Sequence, residues 1–309
     1  MIMSNTTRFA PSPSGPLHLG HAYAAIIAHH FADQSGGKMV LRIDDLDHTR
    51  CRKEFCEQIF VDLKWLNLVW GTKLSRATNS KTLSKIEIPY QSSRLPIYRA
   101  ALENLRSMKL VYPCYLSKKE ITKILTAPHN IAREQDNGKN HAVTDTDKLL
   151  RKSELIRRQN GDRLPAWRLR MKSALKMVEK KIELKKFRWF DHLTGWQKAN
   201  PESFGDVIIA RADIGASYHL SVVVDDALDQ IDLVTRGNDL FCATHLHRLL
   251  QAILGLPTPK YLHHEMVLGN DGKRLAKRSK PSSLAQLRDN GETVESIISK
   301  LPPIPRLDI

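Results

Sequence analysis

The spacing of apolar residues changes repeatedly along the first part of the chain, from short continuous runs to the wider period of a helix. Residues 7–10 can form a short strand, and the mainly apolar residues 39–43 are typical of a buried strand. From His18 the apolar positions recur at helical spacing until the glycine pair 36–37 ends the pattern. A second helical pattern follows at residues 55–66. This order of strand, helix, strand and helix predicts a parallel α/β sheet.

The rest of the chain is less regular, and its strongest strand signal lies in the second half. Residues 222–224 are three consecutive valines in an apolar run, which predicts a buried strand that Asp225 and Asp226 close. Residues 128–165 are polar and charged, which predicts an extended or mobile insertion. The remaining predicted elements are a helix at 94–110, β-structure outside the first sheet at 168–171 and 186–190, strands at 206–211 and 231–235, and a helix at 240–254.

Composition narrows the range of partners and compartments. The 309 residues include 48 lysines and arginines against 33 aspartates and glutamates, which gives a formal net charge of +15. Such an excess favours a polyanionic partner such as nucleic acid. The four cysteines form no CxxC or CxC pair, and no apolar run approaches the roughly 20 residues of a membrane span. We therefore expect a reduced, soluble, cytoplasmic monomer without a membrane partner.

Candidate chemistry begins at the start of the first predicted helix, where His18, Gly20 and His21 follow a turn rich in proline and glycine. Positions i and i+3 share one helix face, so both imidazoles could reach one ligand. The helix N-terminus adds partial positive charge that suits phosphate oxygens, and Gly20 leaves room for a flat base. Two surface histidines on an ordinary helix are the alternative interpretation.

A basic segment near the C-terminus is the second candidate. It contains Lys273, Arg274, Lys277, Arg278 and Lys280. The glycines at 269 and 272 suit a loop that closes on pyrophosphate and stabilises the charge that develops there. A solvated surface or an RNA contact would use the same residue types. Together the two segments predict a site that holds the phosphates of a nucleotide from two sides.

Longer blocks of sequence show a family resemblance. The more specific blocks are Arg8-Phe-Ala-Pro-Ser-Pro-Ser-Gly15, Leu41-Arg-Ile-Asp-Asp-Leu-Asp47, Tyr218-His-Leu-Ser-Val-Val-Val-Asp-Asp226 and Thr235-Arg-Gly-Asn-Asp239. With them, the chain resembles class I aminoacyl-tRNA synthetases of the glutamyl type. His18-Leu-Gly-His21 is similar to the HIGH signature of that class, and Arg274-Leu-Ala-Lys-Arg278 to its KMSKS signature.

The resemblance implies a fold and a division of the chain. The expected fold is a Rossmann-like parallel sheet with an inserted acceptor-binding-like α+β domain and a short helical C-terminal region. The implied ranges are 1–95 for the first half of the catalytic domain, 96–200 for the insertion, 201–262 for the second half, and 263–309 for the KMSKS-like loop and helical end, with no anticodon-binding domain.

The resemblance also implies that the chain activates glutamate with ATP and Mg²⁺. The implied catalytic residues are His18, His21 and Lys277, and the ATP-binding set adds Gly20 and Arg274. The implied glutamate-binding residues are Arg8, Ala10, Ser12, Asp44, Tyr218 and Arg236. Glutamate has two carboxylates and one ammonium, so two arginines, a hydroxyl donor and a group of acceptors match its charges.

The expected RNA partner rests on chain length. The sequence ends about 30 residues after the basic segment, where glutamyl-tRNA synthetases continue into an anticodon-binding region. This length is similar to that of the paralogues that attach glutamate to queuosine in the anticodon of tRNA(Asp), so we expect tRNA(Asp) carrying queuosine as the acceptor. Open alternatives are a short synthetase that charges a tRNA 3′ end, a non-catalytic RNA-binding paralogue, and another nucleotidyltransferase with an HxGH motif.

Three departures from the family pattern bear on activity. Asp44 stands where the family usually has glutamate, which predicts a looser or water-bridged ammonium contact. Ala276 replaces the serine of KMSKS, and Arg274 replaces its first lysine. Of the cysteines that bind zinc in many of these paralogues, only Cys114 is kept, so we expect no zinc, with His129 and His141 as the alternative ligands.

Overall fold

The computed structural model describes residues 5–71, 87–125, 146–162, 164–268 and 282–306. Nine strands form two sheets within these ranges. The strands are β1 Thr6–Phe9, β2 Lys38–Leu41, β3 Val111–Cys114, β4 Ala166–Leu169, β5 Arg188–Asp191, β6 Gly195–Lys198, β7 Ile208–Ala210, β8 Leu233–Gly237 and β9 Lys260–His264. The helices are α1 Leu19–Gln34, α2 Lys53–Trp65, α3 Leu95–Ser107, α4 Lys118–Leu125, α5 Lys152–Gln159, α6 Met171–Lys181, α7 Tyr218–Leu228, α8 Ala243–Leu254, α9 Leu284–Asp289 and α10 Val294–Ser299.

The larger sheet confirms the predicted parallel α/β architecture. Its six strands run in the order β2-β1-β8-β9-β5-β6. The first five are parallel, and β6 is an antiparallel edge strand paired with β5. Because β2 lies on one side of β1 and β8 on the other, the strand order reverses at β1, which is the switch point of the sheet. Ligands of open α/β sheets bind beside such a switch, at the carboxyl ends of the strands.

Helix α1 begins where the sequence predicts. Its inner face consists mainly of alanines with Tyr23, Ile27 and Phe31, all buried. The small side chains allow close packing on the sheet, and the Thr7 hydroxyl donates to the carbonyl of Ala28 at 2.7 Å. This packing fixes the N-terminal end of α1 beside the carboxyl end of β1.

The prediction of a strand at residues 222–224 is wrong, because these valines lie in the middle of helix α7. Leu220 through Asp226 are all buried, so no exposed polar face marks the helical period. A short apolar run that is buried on every side cannot be assigned to helix or strand by periodicity. Tertiary packing here outweighs the preference of valine for strands.

The smaller sheet has the order β3-β4-β7 and is antiparallel. It includes the β-structure predicted at residues 168–171. The second such segment, at residues 186–190, does not lie outside the first sheet as predicted, because β5 pairs with β9 in the larger sheet. Strand pairing therefore crosses the expected domain boundaries, since β7 also joins strands from the range assigned to the insertion. The division into domains stays a prediction.

The polar stretch at residues 128–165 is only partly described. Its described part contains α5, which an extended or mobile segment would not have. Glu154 and Arg158 are four residues apart and form an ion pair with an Nε to Oε1 distance of 2.7 Å, which stabilises this turn of the helix. No helix within the described ranges is long and apolar enough to cross a membrane.

Candidate active site

A cavity of about 630 Å³ opens at the carboxyl ends of β1, β8 and β9, beside the N-terminus of α1. Its volume is typical of small-molecule sites. The predicted residues that line it are Arg8, Ala10, Ser12, His18, Gly20, His21, Asp44, Tyr218 and Arg236. The structure therefore brings together every predicted site residue that it describes, from five separate segments of the chain.

Two predicted residues, Arg274 and Lys277, lie outside the described residues. The described neighbours on both sides of that segment contact the site. Val267 lines the cavity, and Ser283 forms a β-bridge with His18. The chain thus leaves the cavity at Val267 and returns to the start of α1 at Ser283.

The N-terminus of α1 is capped by the two histidines themselves. His18 is the N-cap residue, and its Nδ1 accepts the backbone N–H of Gly20 at 3.1 Å. The Nδ1 of His21 accepts the backbone N–H of His18 at 3.2 Å. Because both Nδ1 atoms act as acceptors, each neutral ring carries its proton on Nε2. Each imidazole is therefore a hydrogen-bond donor at the nitrogen that faces away from its own backbone.

Gly20 has a local role that the sequence did not indicate. A Cβ at this position would lie 3.1 Å from Cε1 and 3.2 Å from Nδ1 of His18. The missing side chain therefore leaves room first for the His18 ring. The prediction that it leaves room for a flat base stays a prediction.

The exit of β1 and the exit of β2 are held together by backbone hydrogen bonds. The N–H of Asp44 donates to the carbonyl of Pro11 at 3.0 Å, and that of Arg42 to Phe9 at 3.0 Å. These bonds hold the segments of Ala10 and Asp44 side by side, and both residues line the cavity. A carbonyl and a carboxylate are acceptors suited to an ammonium group.

Arg42 is the main site residue that sequence reasoning missed. Its side chain is fully buried and lines the cavity, although it comes from the apolar strand pattern around β2. It forms ion pairs with Asp44 at 2.9 Å and with Asp226 at 2.9 Å. An arginine within an otherwise apolar strand was the available signal, because such a residue needs buried carboxylate partners.

Apart from Asp44, the carboxylate partners come from α7 and its C-terminal end, where Asp225 and Asp226 bind arginines rather than closing a strand. Arg8 donates to Asp226 at 3.3 Å and to the carbonyl of Thr235 at 2.8 Å. Arg94 pairs with Asp225 at 2.8 Å. We call this group the carboxylate cluster; its members are Arg8, Arg42, Arg94, Asp44, Asp225, Asp226 and Asp229.

Burial and neighbouring charges shift the pKa values of Asp44, which lines the cavity, and of Asp226 in opposite directions. Burial raises the pKa of Asp44 to about 6, although the neighbouring Arg42 acts in the opposite direction. Burial would also raise the pKa of Asp226, but Arg8 and Arg42 outweigh it and hold that pKa below its ordinary value. Asp44 is therefore the carboxylate whose charge changes near neutral pH.

Arg236 has different direct partners, although its positive charge also helps to lower the pKa of Asp226. Its side chain is 5% exposed, and within the described ranges no carboxylate lies within 4.0 Å of its guanidinium. Its Nε donates to Nε2 of His263 at 3.1 Å, and its Nη2 donates to the hydroxyl of Thr244 at 2.6 Å. Its Nη1 lies 3.2 Å from Nδ1 of His247 and 3.5 Å from the Tyr218 hydroxyl. A buried guanidinium with only neutral direct partners is a strong site for an anionic ligand.

The histidines beside Arg236 are held in the tautomer that accepts its N–H groups. Nδ1 of His263 lies 2.7 Å from Oδ2 of Asp191, so its proton points to that carboxylate and leaves Nε2 for Arg236. Burial lowers the pKa of His263 below its ordinary value, although the bond to Asp191 opposes this. Burial and the charge of Arg236 also lower the pKa of His247. We call Arg236, Tyr218, Thr244, His247, His263 and Asp191 the histidine cluster.

Among the described residues, no group of three or more histidine, cysteine, aspartate or glutamate side chains is arranged so that it could hold a metal ion. Cys114 is buried, and its Sγ lies 3.3 Å from the Thr146 hydroxyl, which donates to it. His129 and His141 are outside the described residues, so the expectation of no zinc stays a prediction. All four cysteines are free thiols.

Comparison with known proteins adds a family and several relatives. A family model for tRNA synthetases class I (E and Q), catalytic domain, matches residues 5–302. The glutamyl-Q tRNA(Asp) synthetase of Rhodobacter capsulatus is 40% identical over 295 residues, which cover 94% of this chain and 97% of that protein. A protein of the same name from Symbiobacterium thermophilum is 36% identical over 295 residues, covering 95% of this chain and 84% of its own length.

Glutamate–tRNA ligases are also similar to this chain. The crystal structure of a glutamate tRNA ligase from Elizabethkingia meningosepticum, in complex with its amino acid, matches with a TM-score of 0.66 at 25% identity. The match covers 89% of this chain and 52% of that one, so this chain spans about half the length of that ligase.

Proposed function

Because the chain belongs to the class I tRNA synthetases for glutamate and glutamine and matches their catalytic domain, we propose that it activates glutamate with ATP and transfers it to tRNA(Asp) carrying queuosine. The protein is accordingly an enzyme of the ligase type. A protein that acylates tRNA would work in the cytoplasm. The amino acid and the RNA acceptor are separate parts of the proposal, and each has its own test.

One observation carries the choice of amino acid. Arg236 is a buried cation whose direct partners are all neutral, at the wall of a cavity that also contains Asp44. A side-chain carboxylate would neutralise Arg236, whereas an amide would leave its charge uncompensated. This supports glutamate over glutamine within a family that serves both.

The other contacts would orient the substrate for attack. The ammonium of the substrate would bind Asp44 and the carbonyl of Ala10, and Ser12 also lines the cavity. Arg8 keeps donors beyond its bonds to Asp226 and Thr235, and these would hold a carboxylate in the cavity. The Tyr218 hydroxyl, which accepts from Arg236, adds a neutral donor.

In the first step, an oxygen of the substrate α-carboxylate attacks the α-phosphorus of ATP. A bond from carbon-bound oxygen to phosphorus forms, the bond to the bridging oxygen breaks, and pyrophosphate leaves with the electron pair. No general base is needed, because the nucleophile is already ionised. The Nε2–H groups of His18 and His21, together with Lys277, would stabilise the negative charge that develops on the phosphates.

In the second step, a hydroxyl of the RNA attacks the carbonyl carbon of the adenylate. An ester bond forms, AMP leaves, and the hydroxyl proton is released. The names of two relatives at 40% and 36% identity support queuosine of tRNA(Asp) as the acceptor. The similarity to glutamate–tRNA ligases keeps a tRNA 3′ end as the second candidate.

The first step is tested by amino-acid-dependent exchange of labelled pyrophosphate into ATP, in the absence of RNA. We expect exchange with glutamate, and much slower exchange with glutamine, aspartate and asparagine. In a parallel reaction, Lys277→Ala removes the proposed phosphate contact and should slow the exchange. Lack of glutamate-dependent exchange by the wild type would support a non-catalytic RNA-binding protein instead.

The second step is tested by mapping the ester. Labelled glutamate is transferred to tRNA(Asp) with and without queuosine, and ribonuclease fragments then separate the anticodon from the 3′ end. We expect label in the anticodon fragment only, and only when queuosine is present. Label in the 3′ fragment would replace the proposed acceptor with a tRNA terminus while leaving the first step intact.

A further inference from the structure

The β5–β6 hairpin presents an outward face that the proposed reaction does not use. Arg188 and Lys198 are cross-strand partners, as are Phe190 and Trp196. Trp189 and Asp191 alternate with these residues and are buried on the opposite face. We call Arg188, Phe190, Trp196 and Lys198 the hairpin face.

Trp196 is the most unusual residue of the hairpin face, because its large side chain is 58% exposed. The Arg188 guanidinium lies 4.0 Å from the centre of its ring. The ring of Phe190 packs edge-on against it at 5.3 Å. The guanidinium covers part of one face of the indole, yet more than half of the side chain stays exposed, so the ring is held in place and still offers a flat surface to solvent.

Positive charge surrounds this surface. A cavity of about 610 Å³ lies beside it and is lined by Lys186, Arg188, Arg248 and Lys260, with no carboxylate in its lining. Arg248 is 8% exposed, and its described bonds are to the carbonyls of Arg188 and Lys186. Glu183 is the described carboxylate that binds one of these cations, at 3.2 Å from Lys186. The charge therefore favours a polyanion.

We propose that the hairpin face and its basic cavity bind single-stranded RNA, with an unpaired base stacked on Trp196 and the flanking phosphates on the lysines and arginines. An exposed aromatic ring between cations is the arrangement that recognises unpaired bases. Within the proposed function, which this inference presupposes for its choice of RNA, the unpaired bases belong to a tRNA loop.

The position of this surface separates RNA binding from glutamate activation. Lys260 begins β9 at the hairpin, whereas His264 ends β9 at the active-site cavity. The two ends of the strand are about 13 Å apart at the usual rise per residue. Asp191, which positions Arg236 through His263, lies on the opposite face of the same hairpin, so substitutions of Trp196 and Lys198 should weaken RNA binding and leave pyrophosphate exchange unchanged.

The test measures binding of a fluorescein-labelled anticodon stem–loop of tRNA(Asp) and of a fully paired RNA duplex, by anisotropy at several salt concentrations. For Trp196→Ala we expect about five- to one-hundred-fold weaker binding of the stem–loop, because one stacked base is lost. Trp196→Phe should restore much of the affinity. Lys198→Ala should lower the slope of log Kd against log salt by about 0.7 for a single-stranded contact.

Matched controls make the result specific. Arg99 is exposed on α3, so Arg99→Ala removes one charge elsewhere and should leave the salt slope higher than Lys198→Ala does. Every variant is checked for wild-type exchange with glutamate, which shows that the fold and the first step are intact. Absence of exchange in the wild type would contradict the proposed function without affecting the binding result.

Two outcomes would overturn the proposal. If Trp196→Ala binds the stem–loop as tightly as the wild type does, no base stacks on this residue. If Trp196→Ala weakens the stem–loop and the paired duplex equally, the hairpin face does not select unpaired bases. Weaker binding confined to the stem–loop, with rescue by Trp196→Phe, supports it.

Discussion

Two clusters around buried arginines border one cavity, and they balance the arginine charge in opposite ways. In the carboxylate cluster, Arg42 is fully buried and forms ion pairs with aspartates on β2's exit and on α7. In the histidine cluster, Arg236 is nearly as buried, yet its direct partners are imidazoles and hydroxyls. Similar burial of the same residue type therefore serves different purposes.

The difference separates structural charge from charge that awaits a ligand. Arg42 is neutralised by the protein, so it contributes to the folded state whether or not substrate is bound. Arg236 is held in place by neutral acceptors, which fix its orientation and leave its charge for an incoming carboxylate. Asp191 contributes to this arrangement indirectly, because it binds Nδ1 of His263 and so leaves Nε2 of that ring to accept from Arg236.

The largest expected effect tests this contrast through stability. Arg42→Gln leaves several buried carboxylates without their partner, so it should lower the free energy of unfolding by about 3–5 kcal/mol. Arg236→Gln removes no ion pair, and the loss of its hydrogen bonds to neutral partners, each worth about 0.5–1.5 kcal/mol, is partly offset because a buried charge without a direct carboxylate is removed. Its loss of stability should therefore be clearly smaller than that of Arg42→Gln. Urea denaturation at pH 7 compares the two variants. Equal losses of stability would contradict the distinction between the clusters.

The next effect tests whether Asp191 positions Arg236. Asp191→Asn can donate to His263 Nδ1 and so favour the wrong tautomer, which would raise the KM for glutamate by about ten- to one-hundred-fold. The measurement is the exchange reaction at varied glutamate concentration. Because Asp191 also accepts from Thr194 in the β5–β6 turn, Thr194→Ala is the matched control. A similar rise in KM for both variants would show that the turn, rather than the tautomer, is responsible.

The two clusters also predict how glutamate binding depends on pH. Asp44, with a pKa raised to about 6, loses its charge below that pH and can then no longer pair with an ammonium. We expect kcat/KM for glutamate to fall by up to about tenfold per unit as pH drops below 6. Asp44→Asn should show low activity with little further dependence in that range. A wild-type profile that is flat from pH 7 to 5 would contradict the role of Asp44.

Histidine protonation affects stability in the same acidic range. Burial lowers the pKa of His219 to about 4, from an ordinary value near 6.5, so the unfolded chain binds this proton more readily. The contribution is fully present above about pH 6.5 and is lost as pH falls toward 4. His219→Gln should therefore reduce the dependence of the unfolding free energy on pH between 6.5 and 4. An unchanged dependence would show that other groups dominate it.

The smallest expected effect concerns the N-terminus of α1, which borders the same cavity as the two clusters. Gly20→Ala places a Cβ at 3.1 Å from the His18 ring, so the ring must shift by a few tenths of an ångström. We expect a several-fold rise in the KM for ATP, equivalent to about 1 kcal/mol, and little change in the KM for glutamate. Equal changes in both KM values would indicate a general distortion of the cavity.

Much of this arrangement could be predicted from the sequence. Periodicity predicts β1, α1 and β2, and their order leads to the parallel sheet with its ligand site at the strand ends. The nine described residues of the predicted site line one cavity. Motif blocks succeed here because each one places a polar residue just after a strand or at a helix end, where the sheet brings such residues together.

The errors occur where burial removes the local signal. The valines of α7 read as a strand because the helix is enclosed on every side. The carboxylates Asp225 and Asp226 were expected to close that strand, whereas they bind Arg8, Arg42 and Arg94 from other elements. His263 and Asp191 are 72 positions apart in the chain, so their contact has no local pattern at all.

The measurement that tests the account most directly is the ratio of kcat/KM for glutamate to that for glutamine in pyrophosphate exchange, with and without Arg236. The wild type should prefer glutamate strongly. Arg236→Gln should lower that ratio by at least about thirtyfold, since a buried charge pair with the substrate contributes roughly 2 kcal/mol or more. An unchanged ratio in Arg236→Gln would contradict the claim that this uncompensated arginine selects the carboxylate.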